Sequence, residues 1–119
     1  MLYLEQPAGV GFSVGMTSQD TNHSDYSSSE DTLAAVLKFY ELFPKYKDND
    51  LFVSGESYGG IYVPYLTWQI YRYNLKVDVE NAINVGNTSW TNMTKVPVKG
   101  FMVGNGVTNW KFDTNPTLP

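Results

Sequence analysis

Apolar residues along the first half of the chain predict a strand, a long loop and a helix. Leu2–Leu4 form a short apolar run that Gln6-Pro7 stops, which predicts a buried strand. Residues 8–29 are rich in Gly, Ser, Thr, Asn and Asp and predict a loop. A serine run at 27–29 then leads into the acidic pair Glu30-Asp31, a pattern typical of a helix start. Apolar side chains recur at helical spacing over residues 30–43, and Pro44 ends that helix.

The second half repeats this order. DLFVS, residues 50–54, predicts a short strand, and residues 60–74 predict a helix whose first turns Pro64 should end or kink. Residues 75–95 are polar and predict only a short helix near 78–84. VPVKGFMVGNG, residues 96–106, predicts a strand that stops at a Gly-Asn-Gly turn, and residues 109–119 predict loop. Strands that alternate with helices predict an α/β fold with a mainly parallel sheet and covering helices.

Composition narrows the classes of protein without naming one. The chain has 119 residues, of which 42% are hydrophobic and 17% charged, so we expect one globular domain over 1–119. A net charge of −4 disfavours nucleic acid and anionic membranes as partners. No apolar run approaches the roughly 18 residues of a membrane span, and the first residues lack the basic stretch and apolar core of a signal peptide.

Cysteine is absent, which excludes disulfides and thiolate metal sites within these residues. Three N-glycosylation sequons begin at Asn22, Asn87 and Asn92. Their use requires a secretory route. A chain rich in Asn, Ser and Thr also produces such triplets by accident, so unused sequons are the alternative.

Candidate chemistry centres on Gly55-Glu56-Ser57-Tyr58-Gly59, which fits G-x-S-x-G between a predicted strand and a predicted helix. A serine at the tip of such a turn is exposed, and the flanking glycines relieve crowding in a strained backbone. The helix N-terminus behind it would favour a developing oxyanion, with the Tyr58 N–H as one donor. The pattern therefore favours Ser57 as a nucleophile, the alternative being a plain glycine-rich turn.

Other glycine motifs fail on spacing. GVGFSVG places glycines at 9, 11 and 15, whereas a dinucleotide fingerprint requires one at 14, where Val14 stands. No glycine-Lys-Ser/Thr sequence exists for a phosphate loop. We therefore predict no cofactor and no metal.

A nucleophilic serine requires a general base, usually a histidine oriented by a carboxylate. His23 is the single histidine, and it precedes Ser57, whereas this fold class places its histidine last. We expect His23 to be a solvent-exposed loop residue. Asp113 follows Ser57, but nothing in the sequence marks it as the orienting carboxylate.

Three blocks together resemble the serine carboxypeptidase family of α/β-hydrolases: LYLEQPAGVGFSV, GESYGGIYVP and GFMVGNGVTN. They occur in the family's order and spacing, and the resemblance covers essentially the whole chain. It implies a partial α/β-hydrolase domain that removes C-terminal amino acids from peptides through a Ser57 acyl-enzyme. It also implies peptide C-termini as partners and acidic compartments as the setting.

The resemblance assigns roles to the residues of the motif. Ser57 would be the nucleophile, the Tyr58 N–H half of the oxyanion hole, and Glu56 the group that recognises the substrate's terminal carboxylate. Two carboxylates attract only if they share a proton, which acid favours. A solvated turn residue is the alternative for Glu56.

The chain departs from the family in what it lacks. The Trp-Asn-Gly-Gly-Pro-Gly block expected before residue 1 and the catalytic Asp and His expected after residue 119 are absent, so we expect an internal fragment that is inactive alone. Two alternatives stay open. One is the family's acyltransferase branch, in which an alcohol replaces water, and the other is a non-catalytic truncated product.

Overall fold

The computed structural model describes residues 1–113 and shows an α/β arrangement, as the sequence predicts. In chain order the elements are α1 (Asp25–Leu42), a 3₁₀ turn (Pro44–Tyr46), β1 (Leu51–Glu56), α2 (Gly59–Ile83), β2 (Val98–Gly104) and α3 (Trp110–Asp113). The prediction of a loop over 109–119 is wrong for residues 110–113, because they form α3. The remainder of that prediction, residues 114–119, lies outside the described residues.

β1 and β2 form a parallel pair, in which Phe52 lies opposite Gly100 and Glu56 opposite Gly104. Parallel neighbours require a crossover connection, and α2 supplies most of it. α2 packs against both strands, and α1 packs against α2. The predicted strands at 50–54 and 96–106 are therefore confirmed, and together they fix the end of the sheet at which Ser57 lies.

The buried strand predicted at Leu2–Leu4 is wrong. Leu2, Tyr3 and Leu4 adopt no regular structure, and all three side chains are exposed. A strand needs a hydrogen-bonded neighbour, and β1 with β2 is the one strand pairing within residues 1–113. Apolar composition predicted the strand, but composition does not supply the partner.

α1 begins earlier than the sequence predicts. Ser24 caps the helix: its hydroxyl oxygen accepts the Ser27 N–H at 3.1 Å, and the Ser27 hydroxyl oxygen accepts the Ser24 N–H at 2.9 Å. This reciprocal pair satisfies two N–H groups that would otherwise lack partners. The predicted start at residues 27–30 is therefore wrong, because the serine run belongs to the first turns of α1 and the cap lies before it.

α2 is longer than predicted and continues through Pro64. The prediction that Pro64 ends or kinks the first turns is therefore wrong as to an end, and a kink stays a prediction. Pro64 removes one hydrogen bond near the helix N-terminus, while its neighbours Val63 and Leu66 are buried against the rest of the fold. Residues 78–83 are helical, as predicted near 78–84, but they form the last turns of α2 rather than a short helix of their own. Packing of the apolar face, rather than local propensity, sustains the helix.

The core lies where α1 crosses α2. Val36 and Tyr40 from α1 contact Leu66 and Ile70 from α2, and Val96 closes the cluster from the segment before β2. Ile70 has no exposed surface, and burying a side chain of this size contributes about 1.5–3 kcal/mol. This cluster anchors the rigid helix whose first residues follow Ser57.

Candidate active site

Ser57 lies in the two-residue turn between β1 and α2. Its φ of 57° falls in the left-handed region, which costs a residue with a side chain about 1–2 kcal/mol. The side chain is exposed, and no residue in the described range 1–113 forms a hydrogen bond with its hydroxyl. The turn therefore presents a serine hydroxyl at the carboxyl end of the sheet.

The two glycines of the motif differ in how strictly the turn requires them. A Cβ at Gly55 would lie 2.9 Å from Val63 Cγ2 and 3.2 Å from Gly59 Cα. A Cβ at Gly59 would meet Val63 Cγ2 at an ordinary 3.9 Å. The crowding expected on both sides of the turn is therefore present at Gly55 and not at Gly59.

Tyr58 is the N-cap residue of α2, so its peptide group lies at the positive end of the helix dipole. Its phenol donates a hydrogen bond to the Asp25 carboxylate at 3.1 Å, at the first residue of α1. Partial burial, and then this hydrogen bond, raise the pKa of the Tyr58 phenol above its ordinary value. The Tyr62 ring packs against it with 4.8 Å between centroids. The side chain thus ties the turn to α1.

Residues 104–107, the last residue of β2 and the three after it, brace the turn. Gly104 C=O accepts the Ser57 N–H at 3.0 Å, and Ser57 C=O accepts the Val107 N–H at 2.8 Å. The backbones approach so closely that a Cβ at Gly60 would lie 2.7 Å from the Val107 carbonyl carbon. A Cβ at Gly106 would in turn clash with Val103 and lie 3.1 Å from Gly60 Cα. Two sequence blocks that are far apart in the chain therefore build one turn.

Glu56 is the last residue of β1 and precedes Ser57 directly. Its side chain is exposed, at the same end of the sheet as the serine. The motif thus places a carboxylate and a hydroxyl on successive residues, both open to solvent.

His23 differs from its prediction as a solvent-exposed loop residue, because it is half-buried. Its Nε2 lies 2.9 Å from the Ala8 carbonyl oxygen. Since a carbonyl only accepts, Nε2 carries the proton in this contact. No hydrogen bond joins His23 to Ser57 in the described part of the chain. His23 therefore connects two parts of the N-terminal loop, and it does not serve as a base for Ser57 in this structure.

Asp113 caps the loop after β2. Its Oδ2 accepts the Thr108 N–H at 2.6 Å, the Asn109 N–H at 2.6 Å and the Thr108 hydroxyl at 2.9 Å. The backbone hydrogen bonds, Thr108 first, lower the pKa of the Asp113 carboxyl. Its carboxylate therefore orders a loop and contacts no histidine among residues 1–113.

The three sequon asparagines are all exposed. Asn22 precedes the cap of α1, and Asn87 lies in the turn after α2, where its Oδ1 accepts the Ser89 N–H at 3.0 Å. Asn87 and Asn92 border one open cavity, together with Trp90. None of the three asparagines lies in the turn that holds Ser57.

Sequence reasoning missed Gly60 and Gly106 as parts of this site. The glycine pair at 59–60 was visible, but only the first fits G-x-S-x-G, and Gly106 indicated nothing beyond a turn. It also missed Asp25, the partner of the Tyr58 phenol. No local pattern signals such contacts, because each joins segments that are distant in sequence.

Residues 1–113 contain neither a metal-binding cluster nor a membrane-crossing helix. No cluster of three or more His, Asp or Glu side chains there has a geometry that could hold a metal ion. None of the helices there combines the length and apolar character that a membrane-crossing helix needs.

Comparisons with known proteins point in one direction. A family model described as serine carboxypeptidase matches residues 1–119. Serine carboxypeptidase-like 20 of Arabidopsis thaliana is 38% identical over 119 residues, covering 100% of this chain and 21% of the relative. Serine carboxypeptidase 24 of the same plant is 40% identical, with coverages of 99% and 23%. Serine carboxypeptidase 1 of Hordeum vulgare is 34% identical, with coverages of 100% and 21%. The chain thus spans about a fifth of the length of these relatives.

A solved structure has the same fold. It is Kex1Δp, a prohormone-processing carboxypeptidase from Saccharomyces cerevisiae, which matches with a TM-score of 0.67 and 22% identity. The match covers 87% of this chain and 20% of the yeast chain. At this identity the likeness concerns the fold alone.

Proposed function

This chain belongs to the serine carboxypeptidase family, and from that premise we propose that it supplies the nucleophile of a serine-type carboxypeptidase. Ser57 carries the proposal, because it is exposed, strained at φ 57° and placed between β1 and the N-terminus of α2. Residues 1–119 then form part of one α/β-hydrolase domain. The substrate is a peptide, and the product is the peptide shortened by its C-terminal amino acid.

The proposed reaction proceeds in two steps. Ser57 Oγ attacks the last peptide carbonyl while a base takes the hydroxyl proton, and the Tyr58 N–H and the dipole of α2 stabilise the oxyanion. The C–N bond then breaks, the amine takes the proton, and the remaining peptide stays as an ester on Ser57. Water hydrolyses that ester and regenerates the serine.

Glu56 is assigned to recognition of the substrate's terminal carboxylate. It is adjacent to Ser57, exposed, and at the end of the sheet where the oxyanion would form. Two carboxylates repel unless they share a proton, so recognition by Glu56 should weaken as pH rises. Glu56→Gln keeps a hydrogen-bond donor, and the pH dependence of substrate binding should flatten in this variant.

The 119 residues by themselves are proposed to be inactive. They contain one histidine, His23, which contacts the Ala8 carbonyl rather than Ser57. A serine without a base has no activated form. A fluorophosphonate probe should therefore label the isolated chain no faster than its Ser57→Ala variant, and rapid labelling of Ser57 alone would contradict this proposal.

The test of the activity uses a longer polypeptide that joins these residues to a histidine base and its orienting carboxylate. Ser57→Ala should abolish release of C-terminal amino acids, whereas Ser54→Ala, a change at an exposed serine on β1, should leave it intact. Unchanged release in Ser57→Ala would remove Ser57 from its role. Transfer of the acyl group to an added alcohol would identify the acyltransferase alternative.

A secretory route is proposed on the exposure of Asn22, Asn87 and Asn92, which leaves room for a bulky glycan at each position. The protein would then act in a lysosome, a vacuole or outside the cell. Expression through the secretory pathway of a eukaryotic host, followed by peptide mass analysis with and without deglycosylation, tests each asparagine separately.

A further inference from the structure

The backbone of Ser57 is held chiefly by residues 104–107, which are the last residue of β2 and the three residues after it. Of the three hydrogen bonds to its N–H and C=O, two come from this segment: Ser57 N–H to Gly104 C=O at 3.0 Å and Val107 N–H to Ser57 C=O at 2.8 Å. The third, from Gly60 N–H at 3.0 Å, is local to α2. A serine at φ 57° persists only where its surroundings over-determine it, so residues 104–107 are what hold the strained turn.

Residues 104–107 are themselves unusual in conformation. Asn105 has a φ of 43°, and Gly106 lies against Gly60 so closely that no side chain fits at either position. Residues 105–109 belong to no helix or strand. The path of this segment therefore depends on its individual contacts, including those that hold the chain immediately after Val107.

The Asp113 carboxylate fixes that chain. Its Oδ2 accepts three hydrogen bonds from Thr108 and Asn109, and the Asp113 N–H donates to the Asn109 C=O at 2.8 Å. Charged acceptors with several N–H donors form the stronger hydrogen bonds of proteins. We call these four hydrogen bonds the Asp113 clasp. The clasp begins at Thr108, one residue after Val107, whose N–H donates to the Ser57 carbonyl.

We propose that Asp113 is a positioning residue for Ser57. Its carboxylate holds residues 108–109, these hold the Val107 N–H on the Ser57 carbonyl, and that bond keeps the serine in its left-handed conformation. The value of this geometry for catalysis rests on the proposed function of Ser57. The clasp itself does not, because the hydrogen bonds of the Asp113 carboxylate are present whatever chemistry Ser57 performs.

Amide hydrogen exchange and NMR of the 119-residue chain test the proposal without any catalysis. Asp113→Ala should raise exchange at the Val107 and Ser57 amides by about threefold to tenfold, while the Ile70 amide in the core stays unchanged. The Ser57 Cα and Cβ chemical shifts should move away from left-handed values. Asp113→Asn keeps one oxygen acceptor and should give an intermediate result, a rescue that a change in overall stability would not produce.

Asp20→Ala is the matched control. Asp20 Oδ2 accepts the Met16 and Thr17 N–H groups at 2.8 and 2.7 Å, an equivalent clasp in a loop that does not contact Ser57. This variant should leave Val107 and Ser57 exchange unchanged. Unchanged exchange at Val107 in Asp113→Ala, or an equal rise at Ile70, would overturn the proposal. If Asp113→Ala does not fold, Asp113→Asn decides by the same comparison. If Asp113→Ala loses the clasp in an active protein and Ser57 still reacts at the wild-type rate, the positioning role of Asp113 is overturned, whereas the proposed function of Ser57 stands.

Discussion

Adjacent glycines at the start of α2 should respond to alanine in opposite ways. A Cβ at Gly59 would lie 3.9 Å from its nearest neighbour, an ordinary contact. A Cβ at Gly60 would lie 2.7 and 2.8 Å from the carbonyl carbon and nitrogen of Val107, which are backbone atoms and cannot rotate away. Gly59→Ala and Gly60→Ala therefore add the same methyl group to the same helix turn with different consequences.

The magnitudes follow from three terms. Alanine gains up to about 1 kcal/mol over glycine in helix propensity, and at Gly59 little opposes that gain. At Gly60 the overlap with Val107 costs about 1–3 kcal/mol. Displacing Val107 also weakens its hydrogen bond to the Ser57 carbonyl, worth about 1 kcal/mol. We expect Gly59→Ala to be stabilising by about 0.5–1 kcal/mol and Gly60→Ala to be destabilising by about 1–3 kcal/mol.

Urea unfolding followed by helical circular dichroism measures both variants. The midpoint should rise for Gly59→Ala and fall for Gly60→Ala, with slopes that match the wild-type chain. Melting temperatures should change in the same directions, by about 4 °C for each kcal/mol in a chain of this size. A Gly60→Ala variant as stable as Gly59→Ala would refute the close approach of α2 to the segment after β2.

Two further predictions concern the core and the response to acid. Ile70→Ala should lower the free energy of unfolding by about 2–5 kcal/mol, because Ile70 is fully buried; Val79→Ala, at a side chain 59% exposed on the same helix, should change it by less than about 0.5 kcal/mol. A midpoint unchanged in Ile70→Ala would move the core away from the α1–α2 crossing. The backbone hydrogen bonds that lower the pKa of the Asp113 carboxyl stabilise the fold fully above its unfolded pKa, and this contribution is lost as pH falls through the folded pKa. Urea midpoints measured from about pH 6 down to pH 2 should therefore fall less steeply in Asp113→Asn, and parallel curves for the two proteins would contradict that role.

Much of this fold could be predicted because its signals are local. The apolar run at 50–54, the glycine-flanked Ser57 and the turn after Gly104 each depend on neighbouring residues, and each lies where the pattern indicates. The boundaries of α1 and α2 were harder to predict from the sequence. A serine run resembles a cap as much as a first turn, and a proline in α2 resembles an end until the packing around it is known.

The contacts that shape the candidate site could not be predicted in the same way. Gly60 against Val107, the Tyr58 phenol on Asp25, and Asp113 on Thr108 all join elements whose approach depends on the whole fold. At Leu2–Leu4 the sequence predicted an element that the structure lacks, since an apolar run predicted a strand without the partner that a strand requires. Sequence therefore identified the candidate nucleophile, whereas the structure identified what holds its backbone.

The parallel pairing of β1 with β2 also bears on the order in which the chain folds. The two strands are separated by the whole of α2, so their pairing closes a long loop and is expected to be slow compared with helix formation and α1–α2 contact. Before β2 docks, neither Gly104 nor Val107 is in place, and Ser57 is free to relax to an ordinary right-handed or extended backbone. The strained serine is thus among the last features to form. During folding, the helices are therefore expected to form before the left-handed backbone of Ser57.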